Sequence, residues 1–223
     1  MPVARRYLNV GDLPSVIPVF PLAGALLLPH TRLPLNIFEP RYLAMVDAAM
    51  SGPRLIGMIQ PKMPGLENDP HPPLSNIGCV GRIVEYAETD DGRYLVTLLG
   101  IVRFRVSAER ELGTPFREVA AEYAPFTKDF QSVEPAGIAR ERLIHALKPY
   151  LAERDMKTDW DAIDEAPVDT LVNALSVLCP FDPAEKQALL EAPGINERAD
   201  TLIALLDMAN AASSSGGSNT PLN

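Results

Sequence analysis

The residues that could carry chemistry are few and scattered. Cys79 and Cys179 share no C-x-x-C pair, and the three histidines, His30, His71 and His145, occur singly. A zinc site needs about four nitrogen or sulfur ligands, usually in closely spaced pairs. That pattern is missing, so no metal is expected. Two buried thiols in a reducing cytosol are the plain reading of the cysteines, and His145, set among apolar helical positions, reads as structural. The acidic run Asp159, Asp161, Asp164 and Glu165 lacks the glycine and ligand order of a calcium loop and reads as a solvated helix end. Arg103 and Arg105 could together hold a phosphate, yet pairing with carboxylates is the expected use in an acidic chain.

Cofactor and nucleophile motifs fail in the same way. A P-loop needs glycines ending in Gly-Lys-Ser/Thr, whose backbone N–H groups and lysine cradle phosphates, and no Gly-Lys pair occurs. Gly78-Cys79-Val80-Gly81 does not fit a dinucleotide fingerprint. Neither a G-x-S-x-G elbow nor an H-E-x-x-H helix is present. The sequence therefore predicts a binding domain with no catalytic residue and no cofactor.

Composition narrows the partners. The chain has 223 residues, 47% of them apolar, with 20 basic against 29 acidic residues and a net charge of −9. Such a chain buries a real core. Polyphosphate partners are drawn mainly by Lys and Arg, so the balance argues against a dedicated nucleic-acid binder. Arg5 and Arg6 ahead of the apolar stretch 16–29 raise a signal peptide, but Asp12 and Pro14, Pro18, Pro21 and Pro29 would break its helix. The stretch is also shorter than the ~20 residues that span a bilayer. A cytoplasmic protein with no membrane association is expected.

The elements that must position any site change character near residue 130. Before it lie short β-type runs: 17–20, 33–38 and 54–60. Pro40 opens a helix to about Met50, with Tyr42, Leu43, Val46, Ala49 and Met50 on one face. Residues 61–76 form a long loop with five prolines and with Met63, Leu66 and Leu74, which have no evident core to join. Residues 77–88 and 93–107 make a hairpin through Asp91-Gly92. In its second strand Tyr94, Val96, Leu98, Val102, Phe104 and Val106 share a face, while the other face begins with Leu95, Leu99 and Ile101. Gly100 at the centre suggests a bent strand closing a barrel-like sheet, and 116–123 is one more strand. Helical periods follow: Leu143, Ile144, Leu147 and Leu151, then Val168, Leu171, Val172, Leu175 and Leu178. Asp182-Pro183-Ala184-Glu185 is a capping box, and a last helix turns Leu202, Ile203, Leu206 and Ala209 inward. The expected organisation is an arm (1–14), a β-rich subdomain (15–130), a helical subdomain (131–211) and a disordered tail (212–223).

Two stretches carry a resemblance. "PVFPLAGALLLPHTRLPLNIFEPRYLAMV" (18–46) closely resembles the opening signature of the LON N-terminal domain, the substrate-recognition region of ATP-dependent Lon proteases. "IGCVGRIVEYAETDDGRYLVTLLGIVRFRV" (77–106) looks like the next block, and residues 178–206 are similar to the helical part of stand-alone LON-domain proteins. The resemblance implies an α+β fold, a β-rich PUA-like pseudo-barrel followed by a C-terminal helical bundle. The matching positions are Pro21, Leu22, Pro34, Leu35, Phe38, Glu39, Arg41 and Tyr42. Their expected roles are structural: prolines at strand exits, Phe38 and Tyr42 packed beneath the helix, Glu39 paired with Arg41 or capping the helix. The ATPase module and serine–lysine protease domain of Lon have no counterpart in these residues, so a peptidase label would describe kinship alone. The implied function is recognition of unfolded or tagged polypeptides in protein quality control, with a protease or chaperone as a further partner. Met63 and Leu66 are the candidate contacts. The alternative is an RNA or small-molecule binder using the PUA-like barrel. Oligomeric state is left open.

Overall fold

The computed structural model describes residues 7–62, 71–110, 113–131, 138 and 140–216. Met63 and Leu66 fall outside them. The strands are β1 (Val16–Pro21), β2 (Arg32–Ile37), β3 (Leu55–Ile59), β4 (Ile77–Glu88), β5 (Tyr94–Arg110) and β6 (Arg117–Glu122). The helices are α1 (Pro40–Met50), α2 (Arg140–Glu153), α3 (Trp160–Glu165), α4 (Val168–Leu178), α5 (Pro183–Glu191) and α6 (Ile195–Gly216). Two compact units result: Met1–Ser132 with Phe181–Leu190, and Val133–Pro180 with Glu191–Asn223.

In the first unit the sheet runs β2-β5-β4-β3-β1-β6, and β5 also pairs with β6. That second pairing closes β5, β4, β3, β1 and β6 into a barrel and leaves β2 outside the closure, paired to β5 alone among the described residues. Only the β1–β3 pairing is parallel among these ladders. The 17-residue β5 serves two partners: 94–99 pair with β2, and 105–110 with β6. Between these stretches Gly100 lets the chain at Leu28 come in close, since a Cβ there would lie 2.0 Å from the Leu28 carbonyl oxygen. The interior is filled by Ile17, Val19, Leu55, Val80, Val102, Phe104 and Val119, all essentially buried. Such alternation of inward side chains is how small barrels make their core.

Pro40 stands at the first position of α1, where its missing N–H costs nothing. Tyr42, Met45, Val46 and Ala49 form the buried face, so Met45 takes part where the periodicity pointed to Leu43 and Met50. Asp182 and Glu185 cap α5 reciprocally, each backbone N–H donating to the other's carboxylate at 2.8 Å.

The helices after residue 131 do not keep together as one subdomain: α5 groups with the barrel. Two buried polar side chains hold it. Gln60 Nε2 donates to the Pro183 carbonyl (3.0 Å) and to Gln187 Oε1 (3.2 Å), while Gln187 Nε2 donates to the Ile77 carbonyl (3.1 Å). Arg103 donates to the Leu190 carbonyl at 3.1 Å. These bonds join residues more than 80 positions apart in the chain, which helical periodicity does not reveal.

In the second unit Leu143, Leu147, Tyr150, Leu171, Val172, Leu202, Ile203 and Leu206 are buried. Asn210 Nδ2 donates to the Ala146 carbonyl at 3.0 Å, tying α6 to α2. Leu178, the last member of the α4 stripe, is exposed instead. The α6 helix continues to Gly216, into the stretch that composition marked as tail. No helix among the described residues is long and apolar enough to cross a membrane.

Candidate polypeptide-binding surface

The signature residues divide into packed and exposed sets. The Tyr42 ring lies 4.2 Å from that of Phe20 and carries the Arg41 guanidinium 4.5 Å from its centroid. Burial pushes the Tyr42 phenol above its ordinary range. Glu39 pairs with Arg41 at 2.9 Å and makes no side-chain cap to α1. Leu22 donates its N–H to the Ile59 carbonyl, continuing the β1–β3 pairing, with its side chain partly exposed. Pro34 is exposed and Leu35 half-buried on β2.

Phe38 departs from its expected place beneath the helix: it is 62% exposed. The strand pleat explains this. Ile37 points into the core at 2% exposure, and successive side chains of an extended chain alternate faces, so Phe38 turns outward before Pro40 starts α1. There it meets the outer face of the hairpin. The Arg93 guanidinium sits 5.8 Å from its ring centroid, within the range of cation–π attraction. Leu95, 48% exposed, lies on that same face opposite Asn36 of β2 and Ala87 of β4.

On the opposite face of the hairpin, which carries Ile37 and Val96, the rings of Tyr86 and Tyr94 meet edge-on at 5.0 Å, and hydrogen bonds with Tyr86 and then Asp47 push the Tyr94 phenol up to about 12. Val84 is partly exposed where the β4–β5 register slips between Ile83 and Glu85. Ion pairs Arg32–Glu85 (2.7 Å) and Arg93–Asp91 (2.8 Å) flank the patch, with Thr97 Oγ1 donating to Glu85 at 2.7 Å. Phe38, Leu95, Ala87 and Pro34 thus form an apolar, partly aromatic surface with a charged rim. Such a surface binds apolar side chains by excluding water and by dispersion.

Arg103 is buried in an ion pair with Asp129 (2.8 Å), and Arg105 pairs loosely with Glu122 (3.6 Å). Both arginines are thus engaged by carboxylates. Cys79 and Cys179 are buried, His145 is exposed, and Asp159 caps α3 by accepting from the Ala162 N–H. No group of three or more metal-capable side chains occurs among the described residues. In the second unit Lys148, Trp160 and Asp164 line a surface cleft of about 270 Å³, below the ~300–1,000 Å³ usual for small-molecule sites.

The family model described as the ATP-dependent protease La (LON) substrate-binding domain matches residues 16–208, and the chain belongs to that family. The Lon protease of Desulfosudis oleivorans is 36% identical over 98 residues, which are 44% of this chain and 12% of that protein. The Lon protease of Escherichia coli K12 is 25% identical over 196 residues, 86% of this chain and 24% of that protein. The chain therefore spans a quarter or less of these relatives' length, and the match falls within the substrate-binding domain. Among solved structures, the N-terminal domain of a Mycobacterium avium complex Lon protease superposes with a TM-score of 0.62 at 16% identity, covering 86% of this chain and 97% of that one. A Lon N-terminal domain protein from Xanthomonas campestris gives 0.57 at 22% identity, covering 86% and 98%. The α+β architecture of barrel and helices is thus that of Lon N-terminal domains.

Proposed function

We propose that this protein captures unfolded or tagged polypeptides through the outer face of the β4–β5 hairpin, as a non-catalytic recognition module in protein quality control. Membership of a substrate-binding family supplies the kind of ligand, and the exposure of Phe38 beside Leu95 is the observation that carries the location. Single exposed apolar residues are ordinary, whereas apolar side chains grouped on one face and rimmed by charge mark interaction surfaces. No catalytic step is assigned, and a protease or chaperone would act on whatever the domain holds. Met63 and Leu66, outside the described residues, remain a second candidate contact. A cytoplasmic setting suits this role.

The test is binding of a reduced, unfolded model protein to three forms of the full chain: unaltered, Phe38→Ser/Leu95→Ser, and Met63→Ser/Leu66→Ser. The hairpin variant is expected to lose at least about tenfold in affinity while keeping its melting temperature, since surface substitutions usually shift stability by about 0.5 kcal/mol or less. Undiminished binding by that variant would move the site elsewhere, and a loss confined to the second variant would place it at 63–66.

A further inference from the structure

β2 ends the sheet, and its ladder to β5 is the only one it makes among the described residues. The Gly100 N–H donates to the Thr31 carbonyl, which fixes the phase of that ladder. In an antiparallel pair alternate residues turn their backbone groups toward the partner. Leu33, Leu35 and Ile37 therefore face β5, and Arg32, Pro34 and Asn36 face away from it. Arg32 and Asn36 offer an N–H and a C=O to that open side, and Pro34 a C=O alone. Unpaired strand edges are templates for another chain, and a proline or charge on them limits uncontrolled pairing. Pro34 leaves a short edge with donors at both ends, suited to a brief added strand rather than to open-ended stacking.

Charge indicates what that strand carries. Near the hairpin end Glu85 and Asp91 are matched by Arg32 and Arg93. Glu88 and Asp90 are exposed and have no ion-pair partner among the described residues, and the Asp47 carboxylate lies against the Tyr94 phenol. Glu88 sits opposite Tyr94, which in turn sits opposite Ile37 of β2. At roughly 4.8 Å per strand, this places its backbone about 10 Å from β2 and about 14 Å from a strand added beyond it, a gap that long Lys and Arg side chains shorten and that low salt leaves less screened.

We propose that the open edge of β2 takes up an extended polypeptide segment as an added strand, its apolar residues lying against Phe38 and Leu95 and its flanking Lys or Arg residues facing Glu88 and Asp90. The proposal rests on the polypeptide-binding reading above and adds its mode and its sequence preference. Main-chain bonds supply sequence-tolerant affinity in strand addition, and alternate side chains supply the selection.

Three fluorescent peptides sharing one Val/Phe-rich centre test it by anisotropy against the full chain: Lys-flanked, Glu-flanked, and Lys-flanked with alternate backbone N-methylation. N-methylation removes the donors of a strand without altering side chains or charge, so the third probe should lose at least about tenfold in affinity. The Lys-flanked probe should bind roughly fivefold tighter than the Glu-flanked one at about 50 mM salt, the gap closing at about 500 mM. Asn36→Pro, which removes an outward N–H and spares the ladder to β5, should fold and bind the Lys-flanked probe weakly. Equal binding of plain and methylated probes overturns strand addition while leaving polypeptide recognition at Phe38 and Leu95 standing. Equal binding of Lys and Glu flanks overturns the charge preference, and no binding of any probe removes both this proposal and the reading beneath it.

Discussion

Arg103 is a charge taken out of water, 3% exposed, and every nitrogen of its guanidinium finds an acceptor. Asp129 receives Nε at 2.9 Å, Nη2 at 2.8 Å and the Arg103 backbone N–H at 3.0 Å, and the Phe126 ring lies 5.0 Å beneath the guanidinium. Breaking a buried pair by removing one charge costs about 3–5 kcal/mol, far more than the pair contributes over an apolar substitute. Asp129→Asn should therefore lower the urea unfolding free energy by about that amount, and Arg103→Met/Asp129→Leu should recover much of it. A loss below about 1 kcal/mol in the single variant would show that water reaches the site. The Tyr86–Tyr94 pair makes a separate statement about pH. Tyr94 titrates near 12 when folded because its neutral phenol is hydrogen-bonded with Tyr86 and Asp47, against an ordinary value of about 10. A raised folded pKa means that the contribution is whole below about pH 10 and fades as pH rises toward 12. Alkaline unfolding followed by tyrosinate absorbance should show stability falling across that window, and Tyr94→Phe should flatten the fall. The residue scale is also where the sequence was least legible. Tyr42 is buried and Glu39 pairs with Arg41, but Phe38 is exposed, and Leu95 gains meaning only once pairing puts it beside β2.

Elements were more legible because their signals are local. Asp91-Gly92 gives the hairpin turn, where Gly92 adopts a left-handed φ of 77°. Pro40 begins α1, and the Asp182–Glu185 box begins α5. Gly100 marked β5 as bent, and the structure supplies the reason in the Leu28 carbonyl that occupies the space of a Cβ. Gly100→Ala should force the Leu28–Thr31 segment away from β5, breaking the bonds from His30 N–H to the Gly100 carbonyl and from Gly100 N–H to the Thr31 carbonyl, both 2.9 Å. Overpacking of this kind costs about 1–3 kcal/mol and more when backbone must move. A melting temperature lower by roughly 2–4 °C per kcal/mol, the shift expected for a chain of this size, is the readout. An unchanged melting temperature would mean that the loop 28–31 yields freely. Long-range association is what element-level signals miss. Nothing in the period of α5 says that it belongs with the barrel, because the information sits in Gln60 and Arg103, polar residues inside strand patterns.

At the scale of the whole molecule, the chain's path between its two units sets a constraint that neither unit shows alone. The first unit is completed only by Phe181–Leu190, after the chain has run through 133–180 in the second. Phe181, Leu189 and Leu190 are buried, at 7%, 0% and 3% exposure. At about 1.5–3 kcal/mol for each buried side chain, the segment Phe181–Leu190 contributes roughly 5–9 kcal/mol as an upper figure. That is comparable to the ~5–15 kcal/mol that holds a typical domain together. A fragment of residues 7–131 should therefore be largely unfolded at room temperature. The same fragment with residues 181–190 joined by a flexible linker should regain a cooperative urea transition, because Gln60 and Arg103 recover the carbonyls of Pro183 and Leu190. If 7–131 alone unfolds with the midpoint of the linked form, α5 is an accessory to the barrel. If only the linked form folds, the recognition surface on the β4–β5 hairpin depends on sequence nearly a hundred residues away, and trimming the chain to its β-rich part would abolish binding without touching a contact residue.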